Sequence, residues 1–81
     1  MKSFYILRDL VACTFGVPVL FATDDDARRG FSDLISDKAT IYGKHPEDFA
    51  LYKIGAFDDR SAVITPCEPE ILISGDSVVH K

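Results

Sequence analysis

The clearest structural signal in this chain is the stretch TDDDARRGFSDLI, which occupies residues 23–35. Thr23 is a good N-cap residue, and the three aspartates that follow it would face the positive end of a helix dipole. Apolar side chains recur at helical spacing and form one stripe, made of Ala27, Phe31, Leu34 and Ile35. The sequence therefore predicts one main helix over about residues 24–36.

The segments on both sides of this helix are typical of β-strands, because they are rich in branched and aromatic residues. We expect strands over residues 3–8, 17–22, 51–57, 61–65 and 71–74, with a turn at 58–60, a loop at 38–44 and a helical turn started by Pro46. The predicted fold class is α+β. It is a small single domain over residues 1–81, mostly antiparallel sheet with the main helix packed on one face, and residues 76–81 form a loose tail.

Length and charge limit what a chain of this size can do. It has 81 residues and a formal net charge of -4, which excludes a bulk polycation that coats nucleic acid through charge alone. The longest apolar stretch, residues 10–22, is interrupted and too short to span a membrane, so no membrane partner is expected. Cys13 and Cys67 lack neighbours at zinc-site spacing, and we expect them to be reduced, with a disulfide left open.

Few residues are suited to catalysis. His45 could pair with Asp48 or Glu47, and such a pair can act as a general base in a hydrolase. No nucleophile motif or phosphate loop accompanies it, so an ordering role in the turn at Pro46 is favoured. His80 lies next to the C-terminus, and we expect it to be frayed. The sequence predicts a protein that is not an enzyme and has no cofactor and no metal site.

Basic residues stand close to aromatic residues at several points, and basic grooves with aromatic rings bind single strands. In an ideal strand Lys53 and Phe57 would share one face while Tyr52 lies on the other. The alternative is that most of the aromatic residues belong to the core. The candidate nucleic-acid contacts are Arg8, Arg28, Arg29, Tyr42, Lys44, Tyr52, Lys53, Phe57 and Arg60.

The segment HPEDFALYKIGAFD, residues 45–58, resembles the signature of the small non-structural protein of gokushovirus-type microviruses, which are single-stranded DNA phages. The order of features from residue 7 to residue 35 is similar too, so the resemblance covers most of residues 3–65. The matching signature residues are His45, Pro46, Asp48, Gly55 and Asp58. The resemblance implies a non-catalytic DNA-binding or replication-accessory protein of the host bacterial cytoplasm, acting during viral genome synthesis or packaging.

Two function hypotheses follow. The first is an accessory protein that binds single-stranded DNA with weak to moderate affinity, as a homodimer or higher homo-oligomer. Pairing of an edge strand, residues 17–22 or 71–74, would build such an oligomer. The alternative is a protein–protein interaction module that regulates phage or host replication proteins without direct DNA contact. The acidic net charge favours this alternative.

Overall fold

The structure, a computed structural model, describes residues 1–79. Five strands and four short helical segments follow one another along the chain. In order they are β1 (Lys2–Asp9), β2 (Thr14–Phe15), β3 (Val19–Phe21), α1 (Asp24–Ser36), α2 (Ile41–Lys44), a 3-10 turn (Pro46–Asp48), β4 (Phe49–Asp58), β5 (Val63–Ser74) and α3 (Gly75–Val79).

All five strands form one antiparallel sheet in the order β2-β1-β4-β5. The short strand β3 also pairs with β1, on the same edge as β2, through partners that run from Ser3↔Phe21 to Tyr5↔Val19. Residues 16–18 separate β2 from β3. Pro18 has no backbone N–H to give to a ladder, so the pairing of this segment is interrupted there.

Helix α1 begins as the sequence predicts. Thr23 is extended, with φ -137° and ψ 161°, and its hydroxyl oxygen accepts the backbone N–H of Asp26 at 3.1 Å. This bond satisfies one of the backbone donors that every helix leaves free at its start. Ala27, Phe31 and Ile35 are buried, and Leu34 is half-buried. The predicted N-cap and apolar stripe are therefore confirmed.

The core joins this stripe to the central strands β1 and β4. Its buried members are Tyr5, Ala27, Phe31, Ile35, Phe49 and Leu51. Tyr42 of α2 closes one end, with its ring centroid 4.7 Å from that of Phe49. Residues from two strands and two helices thus exclude water from one small cluster.

The predicted architecture, a sheet with one main helix packed on one face, is wrong. The sheet curls into a half-barrel, and only short helices accompany it. The backbone of α1 lies closest to α2 and α3. Irregular pairing occurs once between β1 and β4 and twice between β4 and β5, and such bulges bend and twist strands. An alternating sequence pattern contains no sign of them.

Two segments that were expected to be irregular are helical instead. Residues 41–44 form α2, where the Thr40 hydroxyl accepts the backbone N–H of Gly43 at 3.3 Å. Residues 75–79, expected to be mostly loose tail, form α3, which packs near α1 and the 3-10 turn. His80 and Lys81 lie outside the described residues, so the expectation of a frayed His80 stays a prediction.

Both cysteines are free, and both are exposed rather than buried. Cys13 has a φ of 57°, in the left-handed region, within the tight connection between β1 and β2. Within residues 1–79, no helix has the length and apolar composition needed to cross a bilayer.

Candidate nucleic-acid interface

The strand pairing defines two faces of the sheet. Tyr5, Leu7 and Leu51 point toward the core, and we call their side the inner face. Residues paired across an antiparallel ladder point to the same side, and neighbours along a strand alternate. The opposite side, here called the outer face, therefore carries the even-numbered residues of β1 and their partners. These are Lys2, Phe4, Ile6, Arg8, Phe15, Leu20, Ala50, Tyr52, Gly55 and Phe57.

A bulge in β4 brings Phe57 to this face. Phe4 pairs with Gly55 while Tyr5 pairs with Lys53, so Ile54 has no partner on β1. The extra residue resets the alternation, and Phe57 rejoins the side of Tyr52. Its ring centroid is 6.0 Å from that of Phe4, edge to face. The prediction that Lys53 and Phe57 share a face is therefore wrong.

Arg8 lies against two aromatic rings at one end of the outer face. Its guanidinium carbon is 5.0 Å from the ring centroid of Phe15 and 5.8 Å from that of Tyr52. The two rings meet edge to face, with centroids 5.7 Å apart. Arg8 Nε is buried and, within residues 1–79, has no hydrogen-bond partner. Cation–π attraction to the two rings, rather than an ion pair, holds this side chain in place. We call these three residues the Arg8 cluster.

The charge of the outer face has the opposite sign to that of the whole chain. Lys2 and Arg8 stand at the two ends of β1, and within residues 1–79 no carboxylate occupies a position that the pairing register assigns to this face. Glu70 lies opposite Lys53 in the β4–β5 ladder, which places Glu70 on the inner face. A net charge of -4 therefore does not exclude local attraction of a polyanion at this surface.

Lys53 lies on the inner face and makes an ion pair there. Its Nζ lies 3.3 Å from Oδ1 of Asp24, and the Tyr5 hydroxyl donates a short hydrogen bond to the same oxygen. The bond from Tyr5, supported by Lys53, holds the pKa of Asp24 below its usual range. Burial, followed by the bond to Asp24, raises the pKa of Tyr5 to about 12. Lys53 thus anchors the first turn of α1.

The remaining predicted contacts do not gather on the outer face. Arg28 pairs with Asp25 at 3.0 Å along α1, and Tyr42 packs on Phe49 in the core. The other three cations are exposed on α1, on α2 and in the turn before β5, namely Arg29, Lys44 and Arg60. Of the nine predicted residues, Arg8, Tyr52 and Phe57 share the outer face, with Phe57 at the opposite end from the other two.

Sequence reasoning missed Lys2, Phe4 and Phe15. Period-two alternation along β1 places Lys2, Phe4 and Arg8 on one side, so the first two could have been found. Phe15 belongs to a two-residue strand, which is too short to show any period.

The signature residues of the 45–58 segment support the backbone. His45 accepts the N–H of Asp48 through its carbonyl at 3.0 Å, and its side chain makes no cap bond. Asp58 Oδ1 accepts the N–H of Arg60 at 2.9 Å and so closes the β4–β5 turn. Gly55 is needed because a Cβ there would lie 2.9 Å from the carbonyl oxygen of Thr65.

One group of metal-ligating residue types lies close together. The ligand atoms of His45, Glu47 and Asp48 are all within 4.8 Å of one another, with His45 and Glu47 exposed and Asp48 half-buried. Proximity on one solvated turn does not by itself define a metal site. The same turn offers no neighbouring nucleophile for His45 to activate.

An apolar groove of about 280 Å³ opens on the outer face, around Phe4 and Gly55 rather than at the Arg8 cluster. It lies along β4 and β5, and the Phe4 ring of β1 and Pro18, just before β3, form the rest of its wall. Its lining residues are Phe4, Pro18, Ile54, Gly55, Ile64 and Pro66. We call it the outer groove. The outer face therefore combines cations, aromatic rings and an apolar depression.

Comparison with protein families gives one match, to a family described as Phage ORF5 protein, over residues 2–78. Neither the curated proteins nor the solved structures give a match to this chain. The family match includes every strand and nearly all of the described chain, with the outer face in full. This chain therefore belongs to the Phage ORF5 protein family.

Proposed function

We propose that this phage protein is a non-catalytic accessory protein that binds single-stranded DNA on its outer face. One observation carries the proposal. Lys2 and Arg8 flank a row of aromatic rings on a face where, in the part of the chain that the structure describes, no paired position holds a carboxylate, although the chain as a whole is acidic. Positive grooves with aromatic side chains are the usual means of binding single strands.

The Arg8 cluster supplies both kinds of contact that a nucleotide needs. Phe15 is 42% exposed and offers a ring on which a base can stack. Arg8 is fixed against Phe15 and Tyr52, so little side-chain entropy would be lost when its guanidinium binds a phosphate. A base must leave its stack to reach such a ring, and we therefore expect a preference for single strands over duplex.

The resemblance of residues 45–58 supports a more specific setting. We propose a gokushovirus-type microvirus protein that acts in the host bacterial cytoplasm during genome synthesis or packaging. Self-association as a homodimer or higher homo-oligomer would place several outer faces along one strand. Repeated weak contacts of this kind raise the overall affinity without requiring a new contact.

The test is fluorescence anisotropy of a labelled single-stranded oligonucleotide at low and moderate salt, with a duplex as competitor. Arg8→Gln and Arg29→Gln remove the same charge, but only Arg8 lies on the outer face. Binding that weakens with salt and falls about tenfold only in Arg8→Gln supports the proposal. Equal losses in both variants, or no binding at low salt, would overturn it.

A second candidate function is a protein–protein interaction module that regulates phage or host replication proteins. The observation in its favour is the apolar character of the same face, where Leu20, Ile64 and Ile71 are exposed. Apolar patches of this kind often mark protein contacts. Retrieval of a purified phage replication initiator by the wild-type chain but not by Ile64→Glu, without any DNA shift, would favour this candidate.

A further inference from the structure

We infer that the outer groove holds a nucleobase of the bound strand, so that one chain contacts several consecutive nucleotides along β1. The inference rests on the proposed function and adds a second base site to the Arg8 cluster.

The groove is suited to hold a nucleobase without distinguishing one base from another. Its walls are aliphatic side chains, prolines and the Phe4 ring, and no lining residue is charged. The Phe4 ring is itself held edge-on by Phe57. Nucleobases gain from such contacts whatever their identity, because every base has an apolar π-face. With no side-chain donor or acceptor in its lining, this groove would accept any base of suitable size.

The placement of the groove suits an extended strand. Phe4 and Arg8 lie on the same face, four residues apart along β1, which is about 13 Å at strand spacing. A backbone with one phosphate on Arg8 would run along β1 to bring a later base to Phe4. Lys2 lies beyond Phe4 and can meet a further phosphate. The cations therefore flank the groove at the positions that a nucleic-acid backbone would occupy.

Charge favours this occupant over an apolar peptide. An apolar segment of a protein gains nothing from cations at both ends of the site, whereas a polyanion does. The groove and the Arg8 cluster also lie on one continuous face of the sheet.

Two neighbouring residues of β5 provide a matched test. Ile64 lines the groove and is 57% exposed, whereas Val63 is 55% exposed and points to the other face. Ile64→Glu and Val63→Glu add the same charge to the same strand. With labelled eight-nucleotide oligothymidylate we expect Ile64→Glu to weaken binding about fivefold or more, and Val63→Glu to change it less than about twofold.

The outcomes separate the two proposals. Equal effects of both substitutions, in a wild type that binds, would overturn the groove and leave binding at the Arg8 cluster standing. A wild type that fails to bind the oligonucleotide at low salt would overturn the proposed function, and the groove inference with it.

A milder variant removes the ambiguity of an added charge. Ile64→Ala should weaken oligothymidylate binding several-fold but leave binding of an abasic oligonucleotide of equal length unchanged, because the lost contact is to the base. An equal loss on both ligands would contradict the inference. Circular dichroism of each variant confirms that the fold is retained.

Discussion

The ammonium group of Lys53 lies 3.3 Å from the carboxylate of Asp24, twenty-nine positions earlier in the chain. The same carboxylate oxygen accepts the hydroxyl of Tyr5. Two central strands therefore hold the first turn of α1 through one acidic residue. This contact fixes where the helix starts relative to the curled sheet.

We expect Asp24→Asn to destabilise the protein by about 1 kcal/mol, since it weakens two hydrogen bonds at a partly exposed site. Asp25→Asn is the control, because the Asp25 side chain is 89% exposed and, among residues 1–79, pairs only with Arg28. Urea unfolding at neutral pH measures both variants. Equal loss in the two variants would show that Asp24 acts only through the helix dipole.

The low pKa of Asp24 makes stability depend on pH in the acid range. Its folded pKa lies below the ordinary value of 3.8, so its contribution is complete above that value and is lost as the pH falls through the folded pKa. Wild type should lose stability faster than Asp24→Asn on acidification below about pH 5. Parallel curves from urea unfolding between neutral pH and pH 3 would refute this.

Tyr5 gives the opposite dependence. Its folded pKa is raised from 10.0 to about 12, so its contribution is complete below pH 10 and is lost as the pH rises through about 12. Absorbance of the phenolate should show a component that titrates near pH 12. Tyr5→Phe should remove that component, and its survival in the variant would contradict the assignment.

Gly75→Ala should be strongly destabilising. A Cβ at this buried position would lie 1.9 Å from the carbonyl oxygen of Pro46, a backbone atom that cannot move freely. We expect a loss of more than about 2 kcal/mol, typical of overpacking against rigid structure. Gly16→Ala is the control, since its nearest contact is an ordinary 3.5 Å. Thermal denaturation of both variants measures the two losses, and a similar melting temperature in both would contradict the prediction.

The ring of Tyr52, rather than its hydroxyl, should matter for DNA binding. Tyr52→Phe preserves the edge-to-face contact with Phe15 and the position of Arg8, so affinity for oligothymidylate should stay within about twofold. Tyr52→Ala should weaken binding about tenfold. Anisotropy titrations of both variants, each checked by circular dichroism, test the pair. A similar loss in both would assign the effect to the hydroxyl.

Sequence patterns predicted the elements that depend on local chemistry. Thr23 as N-cap and the buried stripe of α1 rest on helical spacing, and the turn at Asp58 rests on hydrogen bonding by an aspartate side chain. The strands β1 and β4 were located within about two residues at each end. Each of these features is determined by residues that lie close together in sequence.

The features that were missed depend on tertiary contacts. The bulge opposite Ile54 moves Phe57 to the other face, and no alternating pattern signals it. Residues 75–79 are helical where Gly75 fits closely against Pro46, a contact between distant segments. Residues 61–65 and 71–74 were predicted as two separate strands. Most of both segments belongs to the single strand β5, which continues past an irregularity opposite Ile54.

The same irregularity has a consequence for colloidal behaviour. Residues 63–71 of β5 are all exposed, and within residues 1–79 no strand covers the far side of this edge. An edge of this length would normally template fibril growth. Pro66 and Pro69 lack N–H groups, and the broken register interrupts the regular spacing of donors and acceptors. The chain thus carries its own protection against ordered aggregation, and that protection would weaken if either proline were replaced.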